Sequence, residues 1–350
     1  MRIVITVDPY IPVPPLFYGG IERVVDFVAR GLVARGHEIT IFAHPESRVD
    51  GELIPYGVPP HTGLLPRLTE LWQVGGDLWR RRHDFEAVIS WGRLAALIPI
   101  LPFRDLPKIQ RYSRDSVPWR SVKIASSLAG DSLCFVGASS SVYQSNKTQE
   151  KYGGRWHTIF DGVELEKYTF VADIGHDAPL IFLGRLEPLK GAHTAIAVAK
   201  ASNKSLIIAG NRVDSGSSAE YFDRELAPHI DGKQIKYVGP VNDQQKDALL
   251  GSATALLFPT QYEEAFGIVM AEAMACGTPV LASPRGSVPE VIREGVNGFV
   301  CRSVEEFVAR VFESEGLNRT AVRMDCESRF SSSVVVDNFE RLCVEMIKQR

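Results

Sequence analysis

The sequence predicts an α/β protein made of two doubly wound, parallel-sheet domains. Three observations lead there. At 350 residues the chain is too long for one small core and fits about two domains of ordinary size. Short apolar runs alternate with helical periodicities in both halves, the pattern of βα units that assemble into parallel sheets. Between the two sets lies a polar stretch, Asp173 to Pro179, that reads as a linker. The expected division is a first domain over 1–172, the linker over 173–179, a second domain over 180–330, and a C-terminal helix over 331–350 that crosses back to the first.

The first half opens as strand, loop, helix, strand. Ile3 to Val7 alternate, Pro9 to Tyr18 is Pro-rich, and Ile21 to Arg35 carries helical spacing in Val24, Val25, Val28, Leu32 and Val33, closed by Gly36 where a C-terminal cap belongs. Glu38 to Ala43 is the second strand, and further strands are expected near Ala87–Ser90, Lys108–Arg111, Leu133–Ala138 and His157–Phe160. In the second half the apolar runs are Leu180–Leu183, Ser205–Ala209, Ile235–Val238, Ala255–Phe258 and Pro279–Ala282. Helices fit between them over Ala192–Ala201, Ser218–Ile230, Asp243–Ser252 and Phe266–Cys276. Ligands of such sheets bind beyond the carboxyl ends of the strands, and two such domains facing each other place a ligand in the cleft between them.

Composition narrows the class. The apolar fraction is 45%, the charged fraction 23% and the formal net charge −3, which describes a globular enzyme with no whole-chain drive toward nucleic acid. Five scattered cysteines with no C-x-x-C pair suggest reduced thiols rather than a zinc site or a disulfide framework. Met1 leads directly into the first strand without the pattern of a signal peptide. The apolar run Leu94 to Phe103 is about half the length needed to span a bilayer and contains Pro99 and Pro102. A cytoplasmic chain follows, one that can touch a membrane peripherally without crossing it.

Three segments carry chemistry. Gly184-Arg185-Leu186-Glu187-Pro188-Leu189-Lys190-Gly191 follows a strand and precedes a helix. Its planar guanidinium and mobile ammonium suit the two phosphates of a diphosphate, although a solvated loop with incidental charges has the same composition. In the second segment, Gln261 to Gly277, Glu264 sits at a loop-to-helix junction and Glu272 lies eight residues on. That spacing is a rise of roughly 12 Å if helical throughout, the length scale of a nucleotide sugar. The N–H groups of Ala265, Phe266 and Gly267 at the helix start can receive an anion. Glu264 also fits a first-turn acid favoured by the helix dipole. Glu272 is set among Ala271, Ala273, Met274 and Ala275, where a carboxylate needs a specific partner. The third segment, Tyr18-Gly19-Gly20-Ile21-Glu22-Arg23, pairs glycines with a helix start, which suits phosphate or a ligand-free tight turn equally.

Taken in order, Gly19-Gly20-Ile21-Glu22, Gly184-Arg185-Leu186 with Lys190-Gly191, Glu264 with Glu272, Thr278-Pro279-Val280 and Asn297-Gly298-Phe299 resemble the retaining enzymes of glycosyltransferase family 4. The Pro-rich Pro12 to Tyr18 is similar to the subgroup containing the avilamycin-pathway type of enzyme. The resemblance implies GT-B architecture, two Rossmann-like domains facing across a cleft, with no metal and no cofactor beyond the nucleotide-sugar donor. It implies that Arg185 and Lys190 hold the diphosphate and stabilise the departing nucleotide, that Glu264 contacts the donor sugar, and that Glu272 contacts the ribose. Backbone near Val238 to Val241 would meet the base, Gly184 would line the donor site, and Gly19 and Gly20 would close over the phosphates. UDP is the expected carrier because it is the commonest one for such enzymes.

One departure stands out. Many family members carry a His after the strand that here resembles Lys108-Ile109-Gln110-Arg111, whereas this chain continues Tyr112-Ser113, so a hydroxyl replaces an imidazole. Among the histidines, His44, just after the second strand, is the candidate for ligand contact. The acceptor-side candidates are therefore Glu22, His44, Tyr112 and Ser113. Between Leu78 and Lys123 ten basic residues face four acidic ones, with Trp79, Trp91 and Trp119 interleaved. That bias reads either as a solvated surface or as a site for an anionic acceptor or an acidic membrane.

The leading expectation is transfer of a hexose-type unit from a nucleoside diphosphate sugar to a carbohydrate, lipid-linked or natural-product hydroxyl, with no nucleic-acid partner. The alternative is a catalytically weak or inactive nucleotide-sugar-binding protein acting with a partner transferase. An epimerase or glycosyl phosphorylase is a third class, and the Glu264 and Glu272 pattern speaks against the epimerase.

Overall fold

The computed structural model describes residues 1–15, 19–57, 64–144, 148–213 and 217–349. Two compact units emerge, one formed by Met1–Asp161 with Ser332–Arg350 and one by Gly162–Ser331. The division falls at Asp161/Gly162 rather than at 172, for a physical reason. The segment after Gly162 is bonded into the second unit: Val163 N–H donates to Phe330 O at 2.8 Å, Thr169 N–H to Asp247 Oδ1 at 2.8 Å and Val171 N–H to Cys276 O at 3.1 Å.

The first unit holds strands β1 (Arg2–Thr6), β2 (Glu38–Ala43), β3 (Glu52–Pro55), β4 (Ala87–Ser90), β5 (Lys108–Tyr112), β6 (Leu133–Gly137) and β7 (Trp156–Thr158), in the spatial order β3-β2-β1-β4-β5-β6-β7. Every pairing is parallel. The order reverses direction between β1 and β4, which opens a crevice at their carboxyl ends. Helix Gly20–Ala34 buries Val24, Val25, Phe27, Val28 and Leu32, each contributing roughly 1.5–3 kcal/mol. Helix Ser332–Lys348 packs beside it closely enough that a Cβ on Gly31 would lie 2.6 Å from Val336 Cγ2. Arg35 and His37 bond to Glu340 at 2.6 and 2.8 Å across the same contact.

The second unit holds β8 (Leu180–Leu183), β9 (Leu206–Ala209), β10 (Ile235–Gly239), β11 (Ala255–Phe258), β12 (Val280–Ala282) and β13 (Gly298–Val300), in the order β10-β9-β8-β11-β12-β13, again all parallel. Here the switch point lies between β8 and β11. Leu180, Phe182, Ile196, Leu206, Leu257 and Phe299 meet in its core. Helix Ala192–Ala201 packs on β8 and β9, and helix Asp243–Gly251, opened by a reciprocal cap between Asn242 and Gln245, packs against helix Ile268–Ala275.

Several expectations are corrected. The single helix expected over 218–230 is broken into Ser217–Tyr221, a wide turn Phe222–Leu226 and a tight turn Ala227–His229, because Pro228 lacks an N–H and disfavours helical backbone before it. The strand expected over 157–160 is Trp156–Thr158. β3 and β13 went unanticipated; both are edge strands of three or four residues, too short for a periodic signal. The five cysteines are all buried and unpaired. Among the described residues no helix is long and apolar enough to cross a membrane.

Candidate functional site

The loops leaving β8 and β11 meet at the switch point of the second sheet. Gln261 N–H donates to Leu189 O at 2.8 Å, which ties the two loops together. Lys190 ends a tight turn, Pro188–Lys190, and its Nζ donates to Glu264 Oε2 at 2.5 Å. Tyr262 completes the cluster: its hydroxyl donates to Glu264 Oε1 at 3.0 Å, and Lys190 Nζ lies 4.8 Å from its ring centroid. Arg185, on the first of these loops, is exposed and pairs with Glu187 at 2.7 Å. Both cations predicted to hold a diphosphate lie on the loop leaving β8, Arg185 paired with Glu187 and Lys190 with Glu264. Gly184 begins this loop. At the neighbouring strand end, Tyr237 Oη donates to Gly210 O at 3.0 Å, Val238 is exposed and Val241 half-buried.

Glu272 finds the specific partner that its apolar setting demanded. Its side chain is 8% exposed and its Oε1 accepts from Lys246 Nζ at 2.5 Å and Tyr168 Oη at 2.7 Å. Lys246 and Tyr168 went unnoticed in the sequence, since each lies far along the chain from Glu272. The helix carrying Glu272 runs over Ile268–Ala275, so the start expected at 266 is corrected. Gly267 takes φ 76° ahead of it, in the left-handed region, and interrupts helical geometry there. The first-turn N–H groups open to an anion thus follow Gly267, and Glu264 and Glu272 are not joined by continuous helix. Ala265 and Phe266 are core residues, Phe266 packing edge-on against Phe330 at 5.4 Å.

The loop after β12 locks Glu264 in place. Gly286 N–H donates to Glu263 Oε2 at 2.5 Å, Ser287 N–H to Glu264 O at 2.8 Å and Ser287 Oγ to Phe266 O at 2.9 Å. A Cβ on Gly286 would stand 2.1 Å from Glu264 O and 2.4 Å from Glu264 N, at φ 54°. Gly286→Ala is therefore expected to push the Glu264 backbone out of position. Its turnover of any donor should fall by at least about tenfold, as expected for misplacement near 1 Å. Melting curves together with initial rates test this, a normal rate showing that the loop tolerates the shift.

In the first unit a cavity of about 720 Å³ opens at the carboxyl ends of β1, β4 and β5, at that sheet's own switch point. Glu22, Tyr112 and Ser113 line it, as do Asp8, Trp91 and Arg93. Ser113 Oγ accepts from Arg111 Nε at 3.3 Å. Asp8 Oδ1 accepts from the backbone N–H and Nε of Arg93 at 3.3 and 3.4 Å, and Arg93 Nη2 reaches Glu70 at 2.7 Å. Burial pushes the Asp8 carboxyl up, opposed by the Arg93 charge, and burial likewise raises Glu22. Asp8 escaped the sequence reading and Arg93 entered it only within the basic bias over 78–123, although their positions just after β1 and β4 are where such sheets bind ligands. His44 does not line this cavity; its Nδ1 accepts from Glu46 N–H at 3.0 Å in a local turn. Gly19 and Gly20 start the first helix, Gly19 packed against Pro15 and Glu22, while Tyr18 lies outside the described residues.

The basic bias over 78–123 is not one surface. Lys108 and Arg111 are buried inside the unit. Lys108 Nζ donates to Phe103 O at 2.7 Å, and Arg111 Nη1 donates to Gly137 O at 2.9 Å while Nη2 pairs with Asp161 at 2.5 Å. Arg81 pairs with Glu52 at 2.8 Å, and Arg82 lies over the rings of Trp79 and Phe103.

Comparison with known proteins follows the same two units. The family model described as Glycosyltransferase Family 4 matches residues 18–112, and that described as Glycosyl transferases group 1 matches residues 169–325. A glycogen synthase of Mycobacterium tuberculosis (strain CDC 1551 / Oshkosh) is 24% identical over 341 residues, covering 82% of this chain and 80% of its own length. The crystal structure of AviGT4, a glycosyltransferase involved in avilamycin A biosynthesis, superposes with a TM-score of 0.71 at 21% identity over 100% of this chain and 98% of that one. Anabaena Alr3699/HepE, solved with UDP and glucose, superposes with a TM-score of 0.70 at 18% identity over 98% of this chain and 99% of that one. Two family models found in this order on two parallel-sheet Rossmann-like units lead to one conclusion: the chain is a glycosyltransferase of GT-B architecture that carries a Glycosyltransferase Family 4 domain followed by a Glycosyl transferases group 1 domain.

Proposed function

We propose that this glycosyltransferase moves a sugar from a nucleoside diphosphate sugar, a UDP-sugar being favoured, to a hydroxyl acceptor, with retention at the anomeric carbon and without a metal ion. The observation that carries it is the Lys190–Glu264 pair, which joins the loops leaving β8 and β11 at the second switch point, with Arg185 on the first of those loops. In the reaction the bond from the anomeric carbon to the diphosphate oxygen breaks. A bond to the acceptor oxygen forms, and the acceptor hydroxyl passes its proton to an oxygen of the departing diphosphate. Negative charge grows on the leaving diphosphate, where Arg185 and Lys190 supply fixed positive charge in place of a cation. Once Lys190 turns to phosphate, Glu264 is released toward the sugar hydroxyls. Glu272, already neutralised by Lys246, is held in one orientation suited to the ribose. The exposed backbone near Val238 and Val241 is left for the base, and Gly184 and the N–H groups around Gly267 for the phosphates. The UDP complexes of the Anabaena structure support the choice of carrier.

The test is nucleoside diphosphate release across UDP-, GDP-, ADP- and dTDP-sugars with an acceptor extract. Turnover with a UDP-sugar, retention by NMR of the product, and undiminished rates in EDTA are expected. Tight UDP binding with no turnover on any donor contradicts the assignment. That outcome would favour the second reading, a nucleotide-sugar-binding protein serving a partner transferase, for which Ser113 in place of an imidazole speaks. Activity gained by Ser113→His from an inert parent separates the two.

A further inference from the structure

The cavity in the first unit is walled differently from a sugar-binding cleft. Helix Trp119–Ala129 turns Val122, Ala125 and Ala129 into the core, yet Ser121, Ile124, Ala125 and Leu128 line the cavity. That is the spacing i, i+3, i+4, i+7, a second small and apolar stripe on one helix. Ile98, opposite, comes from the turn Leu94–Ile100, and Tyr10 from the loop after β1. These side chains are not core: Ile124 is 62% exposed, Ile98 56%, Leu128 46% and Tyr10 40%. Single exposed apolar residues are ordinary, whereas four gathered at one cavity form a patch of the kind that receives a ligand. Beside them the lining carries a few charged groups, Asp8, Glu22, Arg93 and the exposed Arg114. A volume of about 720 Å³ is that of a pocket for a drug-sized molecule. A lining in which exposed apolar side chains outnumber a few charged groups is the inverse of what a polysaccharide end needs, since sugar hydroxyls require partners on every side.

We propose that this cavity selects an acceptor with an apolar body, its nucleophilic hydroxyl end directed to the Asp8–Arg93 pair and its apolar part held by Ile98, Ile124 and Leu128. The inference rests on the glycosyl-transfer assignment above and names its acceptor class: an amphipathic alcohol, whether a rigid aromatic or alicyclic aglycone or a lipid alcohol. The raised carboxyl of Asp8 reflects partial burial beside Arg93, a setting that strengthens a hydrogen bond to a hydroxyl.

Equilibrium binding by tryptophan fluorescence, with no donor present, tests it directly. Three probes are compared: 4-methylumbelliferone as the rigid aromatic alcohol, farnesol in detergent micelles as the lipid alcohol, and maltose as the carbohydrate. Saturable binding of the first or second, with none of maltose, is expected, and which of the two binds identifies the source. Leu128→Glu and Ser121→Trp add a charge and bulk to the cavity wall at exposed positions. Each should weaken the apolar probe at least tenfold while leaving UDP affinity unchanged. If maltose alone binds, if no probe binds, or if both variants bind the apolar probe as the parent does, the proposal is overturned. Donor turnover is measured separately. An enzyme that turns over with a carbohydrate acceptor keeps the transfer assignment and loses this one. Cavity-dependent binding of an apolar alcohol without turnover of any donor does the reverse.

Discussion

Lys190→Ala should lower kcat/KM for the donor by about 10²- to 10³-fold, on the order of 3–4 kcal/mol of transition-state stabilisation. Two effects act together. The departing diphosphate loses one of its two cations, and Glu264, which accepts from Lys190 Nζ at 2.5 Å, becomes an unbalanced carboxylate beside the phosphates. Lys190→Arg restores the charge on a longer planar group and should recover part of the rate. Glu264→Gln separates binding from chemistry. It frees Lys190, so UDP should bind as well as or better than to the parent while kcat falls, because the contact to the sugar is weakened. Initial rates and UDP titrations of the three variants check this pattern, and unchanged kinetics in Lys190→Ala remove the loop from the site.

Asp161→Ala should be the most damaging single change to stability, with a loss of about 3–5 kcal/mol. Arg111 is among the largest fully buried side chains, and Asp161, 2.5 Å away, is its sole described anionic partner. Burial pushes the Arg111 guanidinium down and the Asp161 carboxyl up, in each case more than the mutual attraction offsets. The pair is thus costly to bury and far costlier to break, since the alanine variant strands a guanidinium without water. For a unit of this size the loss corresponds to a fall of about 10 °C in melting temperature. Arg111→Met combined with Asp161→Leu should recover most of it, short of the amount tied to Gly137 O and Ile159 O, both of which accept from Arg111 Nη1. Differential scanning calorimetry of the single and double variants measures both, and a double variant no better than the single contradicts the buried-charge explanation.

The parts of the site that were legible in the sequence are those written locally. Leu180–Leu183 followed by Gly184-Arg185 is a strand and its loop, and both strand bounds hold in the structure. Glu272 announced itself by sitting among alanines and methionines, although its partner Lys246 could not be named, because that contact is set by the packing of two helices. The helix start was misplaced because a Gly within an apolar stretch, Gly267, reads like a continuation until its left-handed backbone is seen. Lys108 and Arg111 looked like surface charge because composition does not reveal that β5 is the inner strand on which they lie. The cavity was hidden for a related reason: Asp8, Arg93, Ile124 and Leu128 come from four separate segments, joined only by the strand order.

In a crystal structure of the protein with UDP bound, the diphosphate should lie at the carboxyl ends of β8 and β11, within hydrogen-bond reach of Arg185 and Lys190, with Glu187 and Glu264 released from those cations. A nucleotide bound elsewhere, or the Lys190–Glu264 pair intact beside a bound diphosphate, would contradict this donor site.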